Sequence, residues 1–106
     1  MPKKSVVTVD LSNTTSTYYA PATVAPAGKL IHIAGQPGIL KDGSFPDDYE
    51  SQIHLALLNL RKVIIAAGAS IEHIVKLNLY IVNYDAANRK HAPHIQRFLR
   101  GHRPAM

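Results

Sequence analysis

The chain has 106 residues, no cysteine and a formal net charge of +5 at pH 7. The length predicts one domain with a modest core, and the lack of cysteine excludes disulfides and thiolate metal sites. No stretch approaches a membrane span and residues 1–5 do not read as a signal peptide, so we expect a cytoplasmic protein, with a mitochondrial location left open.

The first third of the chain is predicted to form β-structure. Residues 5–9 (SVVTV) are short and β-branched, which indicates an edge strand. Residues 22–25 predict a second strand and residues 26–28 (PAG) a hairpin turn. Residues 29–34 (KLIHIA) then predict a third strand, with side chains alternating between the two faces of the sheet.

A helix is the clearest predicted element. It follows a Gly- and Pro-containing loop over residues 36–46, with Asp47 as the expected N-cap and Glu50 as its capping-box partner. Gly68 is expected to end it in a left-handed conformation. Apolar residues at helical spacing mark its buried side: Ile53, Leu57, Leu60 and Ile64.

The second half predicts a turn, a strand and another helix. Residues 70–73 indicate a short turn, and residues 75–81 alternate as in a half-buried strand. Pro93 suits only the first turn of a helix, so we expect that helix over residues 92–100, with Gly101 after its end. Its expected buried face consists of Ile95, Phe98 and Leu99.

The order β-β-β-α-β-α predicts an α+β fold. Right-handed crossovers favour one mixed sheet with two helices packed on one face. The other face of the sheet also carries apolar residues, including Ile31 and Ile33, and needs cover. A partner subunit is the simplest cover.

Several short motifs, in this order, resemble the RidA/YjgF family of reactive-intermediate deaminases. They are Gly28, Gly35-Gln36, Gln52, Asn59, Ala67-Gly68-Ala69, Ile74-Val75-Lys76, Phe98 and Arg103-Pro104-Ala105. The resemblance implies a chorismate-mutase-like fold and a homotrimer. It also implies clefts between subunits, in which a small imine or enamine acid gains water and releases ammonia and a keto acid. Residues 1–106 would form one such domain, expected to lack the last two strands of the family.

The resemblance also implies a substrate-binding set, given by Tyr19, Ala34, Gly35, Gln36 and Met106. Gly35 matches the cleft glycine, and Ala34 stands where active deaminases often have serine. Tyr19 matches the cleft tyrosine, with Tyr18 as a rival. Met106 stands where the family has its carboxylate-binding arginine. The family's helix asparagine falls near His91 or Ala92 and is not retained.

Arg103 is the catalytic candidate, because it lies three residues before Met106 and a guanidinium can bind a carboxylate with two bonds. The alternative, a surface charge before a proline turn, is favoured by the general weakness of surface ion pairs. His32 could be an acid or base of the cleft or a half-buried strand residue. His91 and His94 have a metal-ligand spacing, but the sequence offers no full ligand set, so no metal and no cofactor are expected.

Three functions remain open from the sequence. The first is a deaminase acting on small imine or enamine acids. The second is a catalytically inactive trimer that binds a small carboxylic-acid metabolite, which Ala34 and Met106 favour. The third is RNA binding or cleavage, because residues 86–106 carry five Lys or Arg and no acid. That segment has only Phe98 as an aromatic for base stacking.

Overall fold

The computed structural model describes residues 6–16 and 18–106. Two strands, two α-helices and a short 3₁₀-helix follow one another in the chain. In order they are β1 (Val7–Val9), β2 (Ala22–Val24), α1 (Tyr49–Ala66), the 3₁₀-helix Ile71–His73 and α2 (Ala92–Leu99). No helix in the described ranges is long and apolar enough to cross a bilayer.

The two strands form an antiparallel hairpin, with Val7 opposite Val24 and Val9 opposite Ala22. The first predicted strand began at Ser5, which lies outside the described residues. The side chain of Thr23 donates a hydrogen bond of 2.7 Å to the carbonyl of Val75. The hairpin is therefore attached to the segment that follows the 3₁₀-helix.

The end of the chain joins two distant segments by parallel bridges. Ala105 bridges to Ala20 on one side and to Lys76 on the other. The amide of Ala20 donates to the carbonyl of Pro104 at 2.9 Å, and the amide of Leu77 donates to the carbonyl of Ala105 at 2.9 Å. Strand pairing is thus mixed, antiparallel in the hairpin and parallel at the chain end.

Two predicted strands are not formed. Residues 29–34 and 75–81 were expected to be strands, but only the bridge at Lys76 interrupts their irregular conformation. Their alternating pattern is real, yet a strand also needs a hydrogen-bonded neighbour along its length. In the part of the chain described, residues 29–34 have no such backbone neighbour, and residues 75–81 have only the contact with Ala105. Several of their large side chains are consequently exposed, Leu30 by 73% and Tyr80 by 90%.

Helix α1 begins one residue later than predicted. Asp48, not Asp47, is its N-cap, and the Asp48 carboxylate accepts a 2.9 Å hydrogen bond from the amide of Ser51. Glu50 therefore lies within the first turn and makes no capping box. The predicted end is confirmed. Gly68 has a φ of 82°, and the amides of Gly68 and Ala69 bond back into the last turn as in a Schellman motif.

Replacing Asp48 by Ala is expected to lower the melting temperature, because the amide of Ser51 loses its acceptor. Asp47→Ala is the matched control, since it removes the same charge from the neighbouring residue. Thermal unfolding followed by circular dichroism compares the two variants. Equal melting temperatures for D48A and D47A would contradict the assignment of the cap.

The core lies where the two helices meet. Helix α2 starts at Ala92 with Pro93 in its first turn, as predicted, and buries Ile95 and Leu99 almost completely. From α1, the predicted stripe supplies Ile53 and Ile64 to this core. The end of α2 differs from expectation, because Arg100 itself adopts the left-handed conformation (φ 51°, ψ 42°) ahead of Gly101.

Candidate functional site

The loop that contains the Gly-Gln-Pro-Gly sequence is held against α1 by side-chain amides. Asn59 donates to the carbonyls of Pro37 (3.1 Å) and Ile39 (3.2 Å). Gln52 donates to the carbonyl of Pro46 at 2.8 Å. Gln52 and Asn59 thus have a structural role, because they attach the loop to α1.

Gly38 packs so closely against α1 that only glycine fits at this position of the loop. It is buried, and a Cβ at its position would overlap the carbonyl oxygen of Gln52 and lie 2.8 Å from the carbonyl carbon and Cα of that residue. A Cβ at Gly35 would meet nothing within 4 Å. The backbone at Gly35 is therefore open to approach from outside, as a binding role would need.

Arg103 forms a polar cluster at the chain end with Asp10 and the backbone of Tyr19. Its Nη1 and Nη2 donate to the two carboxylate oxygens of Asp10 at 2.9 and 2.6 Å. Its Nε and Nη2 also donate to the carbonyl of Tyr19 at 3.3 and 3.2 Å. The hydrogen bond from Arg103, more than its charge, lowers the pKa of Asp10. The guanidinium thus already holds a carboxylate with both oxygens, the geometry of carboxylate recognition.

Backbone bridges position this cluster. Ala20 and Ala105 are paired, which brings Tyr19 and Arg103 close together. Met106 follows Ala105 in the chain and is 39% exposed. Tyr18 packs edge-on against Tyr19 with ring centroids 5.2 Å apart, and burial raises the pKa of Tyr18. The two tyrosine rings therefore pack against each other, and the backbone of Tyr19 contacts Arg103.

The predicted site residues fall into two groups. Tyr19, Arg103 and Met106 lie together at the chain end, whereas Ala34, Gly35 and Gln36 lie in the loop before α1. In that loop, Gln36 donates to the carbonyl of Ala34 at 3.2 Å. Within the described ranges, no hydrogen bond joins the two groups.

A second polar feature is the buried imidazole of His91 at the start of α2. Its side chain is 6% exposed, and its Nδ1 has no hydrogen-bond partner among the described residues. The ring of Tyr84 lies 5.6 Å away, centroid to centroid. Both rings line an open cavity of about 570 Å³ together with Leu79, Tyr80, Ile81 and Val82. This cavity presents an apolar surface beside one imidazole.

His91 is expected to make the protein less stable in mild acid. Burial, and to a smaller extent the charge of Arg89, lower the pKa of His91 from its usual 6.5. At pH values between 6.5 and the lower pKa of His91 in the folded protein, the unfolded chain binds more protons than the folded one. The free energy of unfolding therefore falls as pH drops below about 6.5. His91→Phe should flatten this part of the profile, as measured by urea unfolding at pH 5.5 and 7.5.

The control for that experiment is His32→Gln, because His32 is exposed. The ion pair of Glu50 with His94, at 2.9 Å, is present in both variants and cannot account for a difference between them. A profile for H91F as steep as that of the unchanged protein would contradict the prediction.

The two histidines at the start of α2 do not share a ligand set. His94 contacts Glu50 at 2.9 Å and the guanidinium of Arg97 at 3.1 Å. His91 faces Tyr84 instead. No group of three His, Cys, Asp or Glu is placed to hold a metal ion in the described part of the chain.

Sequence reasoning missed Asp10 and Gly38. Asp10 lies 93 residues from Arg103 and nothing local to it predicts this partner. Gly38 lies in the predicted loop over residues 36–46, and its position shortly before the predicted helix was the signal that could have identified it. A glycine just before a predicted helix can mark close backbone contact.

Comparison with known proteins gives one consistent result. The family model Endoribonuclease L-PSP matches residues 11–106. The crystal structure of YyfB from Yersinia pestis, described as a Rid-family protein of unknown function, has a similar fold. The structural match covers 96% of this chain and 81% of YyfB. The TM-score is 0.85 and the sequence identity 27%.

Curated relatives match over shorter stretches. The mitochondrial protein Mmf2 of Schizosaccharomyces pombe is 38% identical over 60 residues, which is 56% of this chain and 47% of Mmf2. TdcF of Escherichia coli, whose name describes a reactive intermediate deaminase, is 30% identical over 74 residues, 63% of this chain and 57% of TdcF. The chain thus matches about half the length of these relatives.

Proposed function

The chain belongs to the endoribonuclease L-PSP family, the Rid/YjgF proteins, and we propose that it binds a small imine or enamine acid and hydrolyses it. An enamine acid first gains a proton at its terminal carbon and becomes the imine. Water then adds to the carbon of the C=N bond, a proton moves to the nitrogen, the C–N bond breaks, and the products are a keto acid and ammonia. A cytoplasmic or mitochondrial location suits this role, since the relative Mmf2 is named as mitochondrial.

The observation that supports the proposal is the pair of hydrogen bonds from Arg103 to both oxygens of a carboxylate, next to Tyr19. An imine or enamine acid presents the same planar carboxylate as Asp10. A guanidinium fork fixes the orientation of such a group in a way that an ammonium cannot. In the proposal, the substrate carboxylate displaces Asp10 from Arg103. The carbon and nitrogen atoms that react lie against the exposed backbone of Gly35.

The proposed active form is a homotrimer. Apart from the bridge between Lys76 and Ala105, the segments 29–34 and 75–81 have no strand neighbour among the described residues, and several of their apolar side chains are exposed. A large exposed apolar surface indicates a protein interface. A second subunit on this surface would cover the cavity beside His91 and bring two chains to one cleft. Sedimentation should give three times the chain mass of 11.6 kDa.

The test is hydrolysis of 2-aminoacrylate, generated in the assay by a dehydratase. We expect faster loss of the enamine with the unchanged protein than without it. Arg103→Lys should lower kcat/KM by about tenfold or more, because the bidentate geometry is lost. Asp10→Asn should lower KM, since it weakens the internal competitor. Arg97→Lys makes the same exchange outside the cluster and should change little.

A second candidate function has one observation in its favour. Arg103 is already occupied by Asp10, which suits a protein that binds a carboxylate without transforming it. In that case the trimer would bind the stable acid 2-oxobutanoate and leave 2-aminoacrylate unchanged. Failure of the unchanged protein to accelerate the reaction, or equal effects of R103K and R97K, would reject the role of Arg103 in a deaminase.

RNA binding, which the family name suggests, has less support. Of the cations in residues 86–106, Arg103 is paired with Asp10 and Arg97 contacts His94. Phe98 is partly buried on α2 and offers little ring surface for stacking. Salt-dependent binding of single-stranded RNA would be the observation in its favour.

A further inference from the structure

A second cavity, of about 500 Å³, lies on the helical side of the molecule. It is enclosed by the C-terminal half of α1, the 3₁₀-helix and the end of α2. Its floor is apolar and consists of Ile64, Ile71 and Leu99. The volume is within the range of small-molecule sites, and the cavity shares no lining residue with the cluster around Arg103.

Two arginines, Arg61 and Arg100, line this cavity. Within the described ranges neither forms an ion pair, whereas Arg103 is paired with Asp10. Glu72 also lines the cavity, but it already has an interaction of its own and is not a free carboxylate. The cavity thus combines an apolar floor with two available positive charges.

Helix dipoles do not remove this positive potential. Helices α1 and α2 both end at the cavity, and each helix C-terminus carries roughly half a negative charge. Two full guanidinium charges exceed that sum. The last carbonyls of α1 are in addition occupied by the amides of Gly68 and Ala69. An anion that enters the cavity would therefore meet the two arginine charges, which are set against the helix C-termini and the carboxylate of Glu72.

The backbone at the end of α2 is unusual at this point. Arg100 adopts the left-handed conformation, which residues other than Gly, Asn and Asp seldom do, although Gly101 follows directly. Strained backbone of this kind tends to occur where a side chain is needed in one direction. His102 fixes the following turn, because its Nε2–H donates to the carbonyl of Ile74 at 2.7 Å.

We propose that this cavity binds a small organic carboxylate with an apolar chain. The carboxylate would lie between the guanidinium groups of Arg61 and Arg100, and the chain would lie over Ile64, Ile71 and Leu99. Charge-assisted hydrogen bonds from arginine suit a carboxylate, and burial of the chain adds affinity. The site is separate from the proposed deaminase site and does not depend on it.

The test is a titration of the methyl-labelled full chain with octanoate, followed by NMR. We expect saturable shifts of the methyl groups of Ile64, Ile71 and Leu99. Octanol, which has the same chain without the charge, should bind at least tenfold more weakly. Arg61→Gln and Arg100→Gln should each weaken octanoate binding by about tenfold.

The matched control is Arg97→Gln, which removes the same charge from α2 outside the cavity. It should leave the affinity for octanoate within about twofold, since separated surface charges are largely screened. Unchanged amide fingerprint spectra would show that each variant is folded, and Arg100→Lys serves as a milder variant if R100Q is not. Absent shifts at the three methyl groups, equal binding of octanol, or an equal effect of R97Q would overturn the proposal.

Discussion

Replacing Gly38 by Ala is expected to destabilise the protein by about 3 kcal/mol, at the upper end of overpacking effects. The added Cβ would meet backbone atoms of Gln52, in the first turn of α1, which cannot swing away as a side chain can. Either the loop leaves α1, with loss of the hydrogen bonds from Asn59, or the start of α1 shifts. The melting temperature should fall by roughly 12–24 °C for a domain of this size.

Gly35→Ala is the matched control within the same motif. A Cβ at Gly35 has open space around it, so the free energy of unfolding should stay within about 0.5 kcal/mol of the unchanged protein. If the proposed cleft is correct, G35A should nevertheless lower hydrolysis of 2-aminoacrylate. Similar unfolding free energies for G38A and G35A would contradict the packing argument.

This contrast shows what the sequence could establish. The sequence analysis identified Gly35-Gln36 and the loop over residues 36–46, but the sequence could not tell which glycine packs against the helix and which stays open. That difference depends on the distance between Gly38 and the backbone of Gln52 in space. Local patterns carry no such information.

Elements with local signals were predicted well. The Gly68 stop and the position of Pro93 were both confirmed, because a left-handed glycine and a proline in the first turn are determined by their own backbone. The N-cap was wrong by one residue, since Asp47 and Asp48 are chemically identical and only the hydrogen bond to Ser51 distinguishes them.

Elements that need a distant partner were predicted less well. The segments 29–34 and 75–81 have the alternation of strands, but pairing depends on a neighbour that a single sequence does not reveal. The same reason explains why the partner of Arg103 was missed. The family resemblance directed attention to Arg103, whereas only the structure shows the carboxylate of Asp10 between its nitrogens.

Ile64→Ala is expected to destabilise the protein by about 2–5 kcal/mol, whereas Ile65→Ala should change stability by no more than about 0.5 kcal/mol. The two isoleucines are neighbours in α1, but Ile64 is 4% exposed and Ile65 is 62% exposed. Urea unfolding of both variants measures the difference.

The pair isolates burial from every other effect of the substitution. Both changes remove the same atoms, and both exchange a β-branched residue for alanine in the same helix, so the gain in helix propensity is equal and cancels. The remaining difference reports the cavity left between α1 and α2. A loss at Ile65 as large as that at Ile64 would mean that the exposed side of α1 is covered in solution, and the contact between the two helices would then not be the only core of the protein.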